Sequence, residues 1–113
     1  IHARPEMTVV AVSDLMRRFG VSQLPIMDDS GKALGIVSEK TLLAYLLRQD
    51  SDPQSPIAPL ASNKYAVVDP TTRLSVLGDL FAGGNVVLVI DKEKLVGILT
   101  RIDFIDYVSH LMR

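Results

Sequence analysis

Lys32-Ala33-Leu34-Gly35-Ile36-Val37-Ser38 recurs, Gly35 matched to Gly97, as Lys94-Leu95-Val96-Gly97-Ile98-Leu99-Thr100. Internal repetition of this kind sets the architecture before any single element is assigned. Upstream of each copy lies a second apolar run that ends in aspartate, Leu24-Pro25-Ile26-Met27-Asp28 and Val86-Val87-Leu88-Val89-Ile90-Asp91. A short polar turn, Asp29-Ser30-Gly31 in one copy and Lys92-Glu93 in the other, separates the two runs. Paired apolar runs around a tight polar turn predict a buried β-hairpin in each half.

Ahead of the first hairpin, Val9, Val12, Leu15, Met16 and Phe19 recur at helical spacing, with Thr8 as N-cap and Gly20 as stop. The second copy carries a weaker stripe of Leu74, Leu77, Leu80 and Phe81, closed by Gly83-Gly84. A further helix follows each hairpin, from Glu39 to Leu47 and from Arg101 to Met112, and short apolar segments at Ile1 to Arg4 and Tyr65 to Val68 read as entering strands. Residues 1–47 thus form one unit and 64–113 another, with the polar stretch 48–63, holding Pro53, Pro56 and Pro59, as linker. Strands that do not alternate strictly need cover on both faces. The fold expected is α/β (α+β), two β-α-β-β-α repeats packed sheet to sheet with helices outside.

Composition narrows the function classes. The 113 residues are 48% hydrophobic with mean hydropathy +0.27, yet no apolar run approaches the roughly 20 residues a membrane-spanning helix requires. Twelve Lys+Arg against 13 Asp+Glu give a formal charge of −1, which offers no global attraction to nucleic acid or anionic lipid. Cysteine is absent, so disulfides, thiolate nucleophiles and thiolate metal sites are excluded, in keeping with a cytoplasmic setting. His2 and His110 have no ligand-spaced partner, so no metal site is expected. Nor does any Ser-His-Asp set or carboxylate pair support catalysis. Met7, Met16, Met27 and Met112 read as core filler, Arg17-Arg18 as a solvated face, and Gly83-Gly84-Asn85 as a turn. Ile1 is not an initiator methionine and no signal peptide is visible, so the stretch is expected to belong to a longer polypeptide.

The helices after each hairpin carry more apolar surface than one sheet can cover. Leu42 to Leu47 is apolar all round, and Ile102, Phe104, Ile105, Tyr107, Val108, Leu111 and Met112 cover most of theirs, which predicts a homodimer through Leu42–Leu47 and Ile102–Met112. The chemistry-bearing stretch is Gly97-Ile98-Leu99-Thr100-Arg101-Ile102-Asp103, a strand running into a helix. Thr100 could donate to an anion at the helix start, and the Asp103 carboxylate could hold two ribose hydroxyls. The same pattern is also a capping box, which needs no ligand. The first copy reads Gly35-Ile36-Val37-Ser38-Glu39-Lys40-Thr41 and has Thr41 where the second has Asp103.

Two such units, each closing on glycine, an apolar pair, Ser/Thr and a helix, resemble a tandem pair of CBS domains, a Bateman module, over essentially the whole chain. Gly20-Val21-Ser22-Gln23-Leu24-Pro25 and the two glycine stretches look most like the carboxy-terminal regulatory region of the cystathionine β-synthases. The resemblance implies pseudo-twofold symmetry and two clefts for adenosyl compounds such as AMP, ATP or S-adenosylmethionine. The favoured cleft would use Thr100 and Asp103 with Val21, Ser22, Gln23, Leu24, Ile1, His2, Ile98 and Ile102. The weaker one would use Ser38 and Thr41 with Tyr65, Ala66, Asn85 and Val86. It further implies a regulatory fragment with no cofactor of its own, controlling a pyridoxal-phosphate catalytic domain amino-terminal to Ile1. A purely structural or oligomerisation module, and a regulator of another enzyme or transporter, are the alternatives.

Overall fold

The computed structural model describes residues 1–111, and Met112, assigned above to the last helix, lies outside them. The chain divides into two compact units, residues 1–63 and residues from 64 onward. In the first, helix α1 (Val9–Phe19) precedes the hairpin of β1 (Gln23–Met27) and β2 (Ala33–Ser38), and α2 (Glu39–Leu46) follows it. In the second, β3 (Tyr65–Val68) leads to α3 (Leu74–Ala82), the hairpin of β4 (Val86–Asp91) and β5 (Lys94–Leu99), and α4 (Arg101–Leu111). The sheets have two and three strands. Among the described residues no helix is long and apolar enough to cross a membrane.

The halves repeat down to the register. Leu24 faces Val37, Pro25 faces Ile36 and Ile26 faces Gly35, while Val87 faces Leu99, Leu88 faces Ile98 and Val89 faces Gly97. Each ladder then slips at one point, after Ile26 in β1 and after Val89 in β4. Against this antiparallel pair each unit lays a parallel neighbour. In the second unit it is the whole of β3, with Val68 beside Val89. In the first, the strand expected from Ile1 to Arg4 is a single bridge of Ala3 to Ile26, in which Ala3 N–H donates to Pro25 C=O at 2.8 Å and Met27 N–H to Ala3 C=O at 2.9 Å. Pro5 and Pro70 stand two residues past Ala3 and Val68, and a residue without an N–H cannot extend the ladder.

Helix α1 is closed at both ends. The Thr8 hydroxyl accepts from Ala11 N–H, and Gly20, at φ 65°, lets Val21 N–H return to Met16 C=O. The turn between β4 and β5 places both Lys92 (φ 50°) and Glu93 (φ 67°) in the left-handed region, which matches the right-handed twist of the flanking strands.

The segment read as a linker is bound into the first unit. Val9 and Val10, whose N–H groups would have no partner inside α1, donate to the carbonyls of Ser55 and Pro53 at 2.9 and 3.0 Å. Ile57 N–H donates to Met7 C=O at 2.8 Å, and the Tyr45 hydroxyl accepts from Asp52 N–H at 2.9 Å. Ile57 is 0% exposed and joins Ala3, Val9, Val12, Met16, Leu24, Ile26, Val37 and Leu42 in one core cluster. Prolines forbid one regular helix here but do not prevent burial, and only a 3-10 turn at Ala58–Leu60 is regular. Farther on, Ser62 exchanges two hydrogen bonds with Ile36 on the outer edge of β2, 2.9 and 2.8 Å. Gly35 permits this approach, since a Cβ there would stand 2.6 Å from the Ala61 Cβ and 3.0 Å from the Ser62 carbonyl oxygen.

Among the described residues of the second unit the buried apolar ones are Phe81, Val87 and Leu88, with Phe104 tilted onto Phe81 at a ring-centroid distance of 5.1 Å. The residues read as filler behave as such where they are described. Met16 and Met27 are buried, Met7 packs on the first core, and Arg17 is exposed beside Asp14 at 2.6 Å. Asn85 closes its turn by donating from Nδ2 to Leu80 C=O at 3.0 Å.

Candidate functional site

Strand β5 delivers Thr100 to the head of α4. Thr100 N–H and its hydroxyl both donate to Asp103 Oδ2, at 2.9 and 3.0 Å, and Asp103 N–H reaches back to the Thr100 hydroxyl at 3.5 Å. This is capping-box geometry, with the aspartate one methylene shorter than the usual glutamate. One carboxylate oxygen is thereby occupied, while Oδ1 has no hydrogen-bond partner among the described residues. The carboxylate borders a cavity of about 340 Å³ within the second unit, otherwise walled by Leu74, Leu77, Leu99, Phe104 and Tyr107 among others. Chemically, the arrangement offers one anionic oxygen free to accept a hydrogen bond.

The matching corner of the first unit is built alike but carries no charge at the matching place. Ser38 caps α2 by accepting from Thr41 N–H at 3.2 Å, and the two hydroxyls lie 3.0 Å apart. One hydroxyl donates to the other, and a neutral hydroxyl stands where the twin has a carboxylate. Glu39 N–H donates to Ser22 C=O at 2.9 Å, which fastens the Val21-Ser22 loop to the head of α2. That loop borders an open groove of about 580 Å³ between α1 and α2, lined by Met16, Gly20, Leu42, Leu43 and Leu46.

The favoured set is divided between the units. In the first, Val21 to Leu24 run from the cap of α1 into β1, while the exposed Ile1 and His2 lead into the Ala3 bridge. Leu24 has its side chain in the core, so only its main chain could meet a ligand. Gln23 Oε1 is buried and has no hydrogen-bond donor among the described residues, an arrangement that costs about 1–3 kcal/mol. In the second unit Ile98 sits on β5 and Ile102 is exposed on α4. Of the weaker set, Tyr65, Ala66, Asn85 and Val86 gather at the paired starts of β3 and β4, where Tyr65 lies beside Val86 and Ala66 beside Val87. The Asn85 amide is already committed to its helix cap.

Two further features carried no sequence signal as sites. A shallow cavity of about 540 Å³ in the second unit is lined by Val67, Asp69, Val76, Leu80 and Ile90 among others. The Thr71 hydroxyl, with help from its N–H, holds the Asp69 carboxyl below the usual carboxylate range. No group of three or more His, Asp or Glu side chains suited to a metal ion occurs among the described residues.

Residues 1–48 and 57–110 each match the family model of the CBS domain. The chain belongs to the CBS-domain family. It carries the tandem pair, a regulatory and not a catalytic module. A cystathionine β-synthase of Dictyostelium discoideum is 25% identical over 105 residues, 88% of this chain but 21% of that protein, so the chain spans about a fifth of its length. Among solved structures, a CBSX2 in complex with AMP is 25% identical with a TM-score of 0.80, over 100% of this chain and 90% of the other. The acetoin utilization protein AcuB of Vibrio cholerae is 26% identical with a TM-score of 0.80, over 98% and 84%.

Proposed function

We propose that this CBS-domain pair senses an adenosyl compound, AMP, ATP or S-adenosylmethionine, and controls an attached enzyme of the pyridoxal-phosphate-dependent cystathionine β-synthase kind. The observation that carries the reading is the Asp103 carboxylate, fixed through Oδ2 by Thr100 while Oδ1 has no hydrogen-bond partner among the described residues. A ribose diol would be held by that oxygen, and the main chain of Val21 to Leu24, with Ile1 and His2, would contact the base. Ile98 and Ile102 would give the apolar lining. The twin corner at Ser38 and Thr41, with Tyr65, Ala66, Asn85 and Val86, is the weaker site because a bonded hydroxyl replaces the anion. The AMP held by a CBS-domain relative of the same fold supports the ligand class. Ligand affects an attached enzyme only through unequal affinity for two arrangements of the module.

Calorimetric titration with AMP, ADP, ATP and S-adenosylmethionine is the test. At least one compound should give saturable heat, and Asp103→Ala should weaken it roughly tenfold or more, about 1.4 kcal/mol. Thr41→Ala should do less. Absence of heat from all four compounds, or equal effects of the two variants, overturns the assignment.

A second role, assembly, is favoured by the uncovered helical faces. Leu43 and Leu47 of the α2 region are 59% and 77% exposed, and Ile102 of α4 is 69% exposed. Scattered apolar residues are ordinary, but contiguous ones call for cover. The module is therefore expected to form a homodimer through these faces. Sedimentation equilibrium should give twice the chain mass, and Leu43→Glu with Leu47→Glu should restore the monomer. A monomeric parent chain at high micromolar concentration would rule the dimer out.

A further inference from the structure

The twin hairpins differ at their outer edges. In the first unit the edge of β2 is taken, because Ser62 exchanges both main-chain hydrogen bonds with Ile36 and Ala61 lies flat on Gly35. The residue opposite Ile36 is Pro25, which has no N–H, so the polar groups of Ile36 turn away from β1 and toward the added segment. In the second unit Ile98 holds the same register place opposite Leu88, and antiparallel ladders alternate inward and outward pairs. The N–H and C=O of Ile98 therefore face outward from β4. Outside its ladder with β4, no described backbone group bonds them. A Cβ built on Gly97 meets nothing within 4 Å, whereas the one built on Gly35 collides with a neighbour. Val96, next on this edge, is 63% exposed.

We infer, resting on the proposed attachment of this module to a larger protein, that the edge of β5 at Gly97 and Ile98 is a strand-addition site for an extended segment of the polypeptide flanking the module, which lays a small side chain on Gly97 and exchanges two main-chain hydrogen bonds with Ile98. An open ladder edge is a template for one more strand. The twin specifies the chemistry of the occupant: alanine against the glycine, then a residue whose N–H and C=O are both free. It also specifies the source. Ala61 and Ser62 are polypeptide flanking the first hairpin and its helix, not a part of either. Cystathionine β-synthase of Dictyostelium, of which this chain matches 21%, shows how much flanking polypeptide a relative can have.

Amide hydrogen exchange tests this. In the 113-residue chain the Ile36 amide should be protected and the Ile98 amide should exchange fast. In the full-length protein Ile98 should slow at least tenfold, and Gly97→Leu in that protein should return it to the fast rate. The same substitution in the 113-residue chain should leave the melting temperature unchanged, because the space over Gly97 is open, which separates loss of docking from loss of fold. As a positive control, Gly35→Leu should deprotect Ile36. Equal Ile98 exchange in the two proteins overturns the proposal, as does protection that survives Gly97→Leu. Protection that rises with concentration of the 113-residue chain also overturns it, by making the occupant a second copy.

Discussion

Ile57→Ala should destabilise the chain by about 2–5 kcal/mol, the range for truncating a fully buried large aliphatic residue. The size of this effect distinguishes a bound segment from a tether. Ile57 is 0% exposed within the first core, and its N–H is held by Met7 C=O at 2.8 Å. Removing three carbons would leave a cavity in the first core that the tied backbone cannot close by shifting. Gln54→Ala, in the same segment but exposed and bonded only through its main-chain N–H, should change stability by less than about 0.5 kcal/mol. Urea unfolding of both variants gives the comparison, and an Ile57→Ala loss no greater than that of Gln54→Ala would show that the segment is not part of the folded unit.

Leu88→Ala is expected to cost a similar amount, about 2–5 kcal/mol, for a different reason. Leu88 is 0% exposed on β4, the central strand of its sheet, between Val67 of β3 and Ile98 of β5. Among its described residues the second unit has three buried apolar side chains, Phe81, Val87 and Leu88, so each carries a large share of its packing. Hydrogen exchange on Leu88→Ala should show faster exchange throughout β3, β4 and β5. A variant with unchanged urea midpoint and unchanged exchange there would contradict this placement of the core.

Repetition and periodicity made most of the fold legible. The glycine-centred repeat located both hairpins, and helical spacing with Thr8 and Gly20 located α1 to the residue, because cap chemistry is local and residue-specific. The fate of residues 48–63 was hidden by their polarity and prolines. What binds them is one isoleucine and a row of main-chain bonds, and main-chain bonds leave no trace in residue type. The Ala3 bridge was read too long because a parallel neighbour and an apolar entry look alike in sequence.

At the candidate site, the Thr100 and Asp103 pairing was legible because both readings, cap and ligand grip, need the same two side chains at the same spacing. The structure shows the cap in place with one oxygen over, a division of labour that no sequence pattern encodes. The contrast between Gly35 and Gly97 was invisible for the opposite reason. Identical residues sit in identical registers, and only a remote neighbour tells them apart.

The seam between residues 5–10 and 53–58 has a mechanical corollary. Ala58 bonds to Pro5, Ile57 to Met7, Val9 to Ser55 and Val10 to Pro53, so the beginning and the end of the first unit are stitched side by side. A pull applied at either end first loads an edge of the hairpin, through Ala3 on β1 or Ser62 on β2, and only then reaches this row of stitches. The row is therefore sheltered from a tug in either direction until one rim of the hairpin has let go.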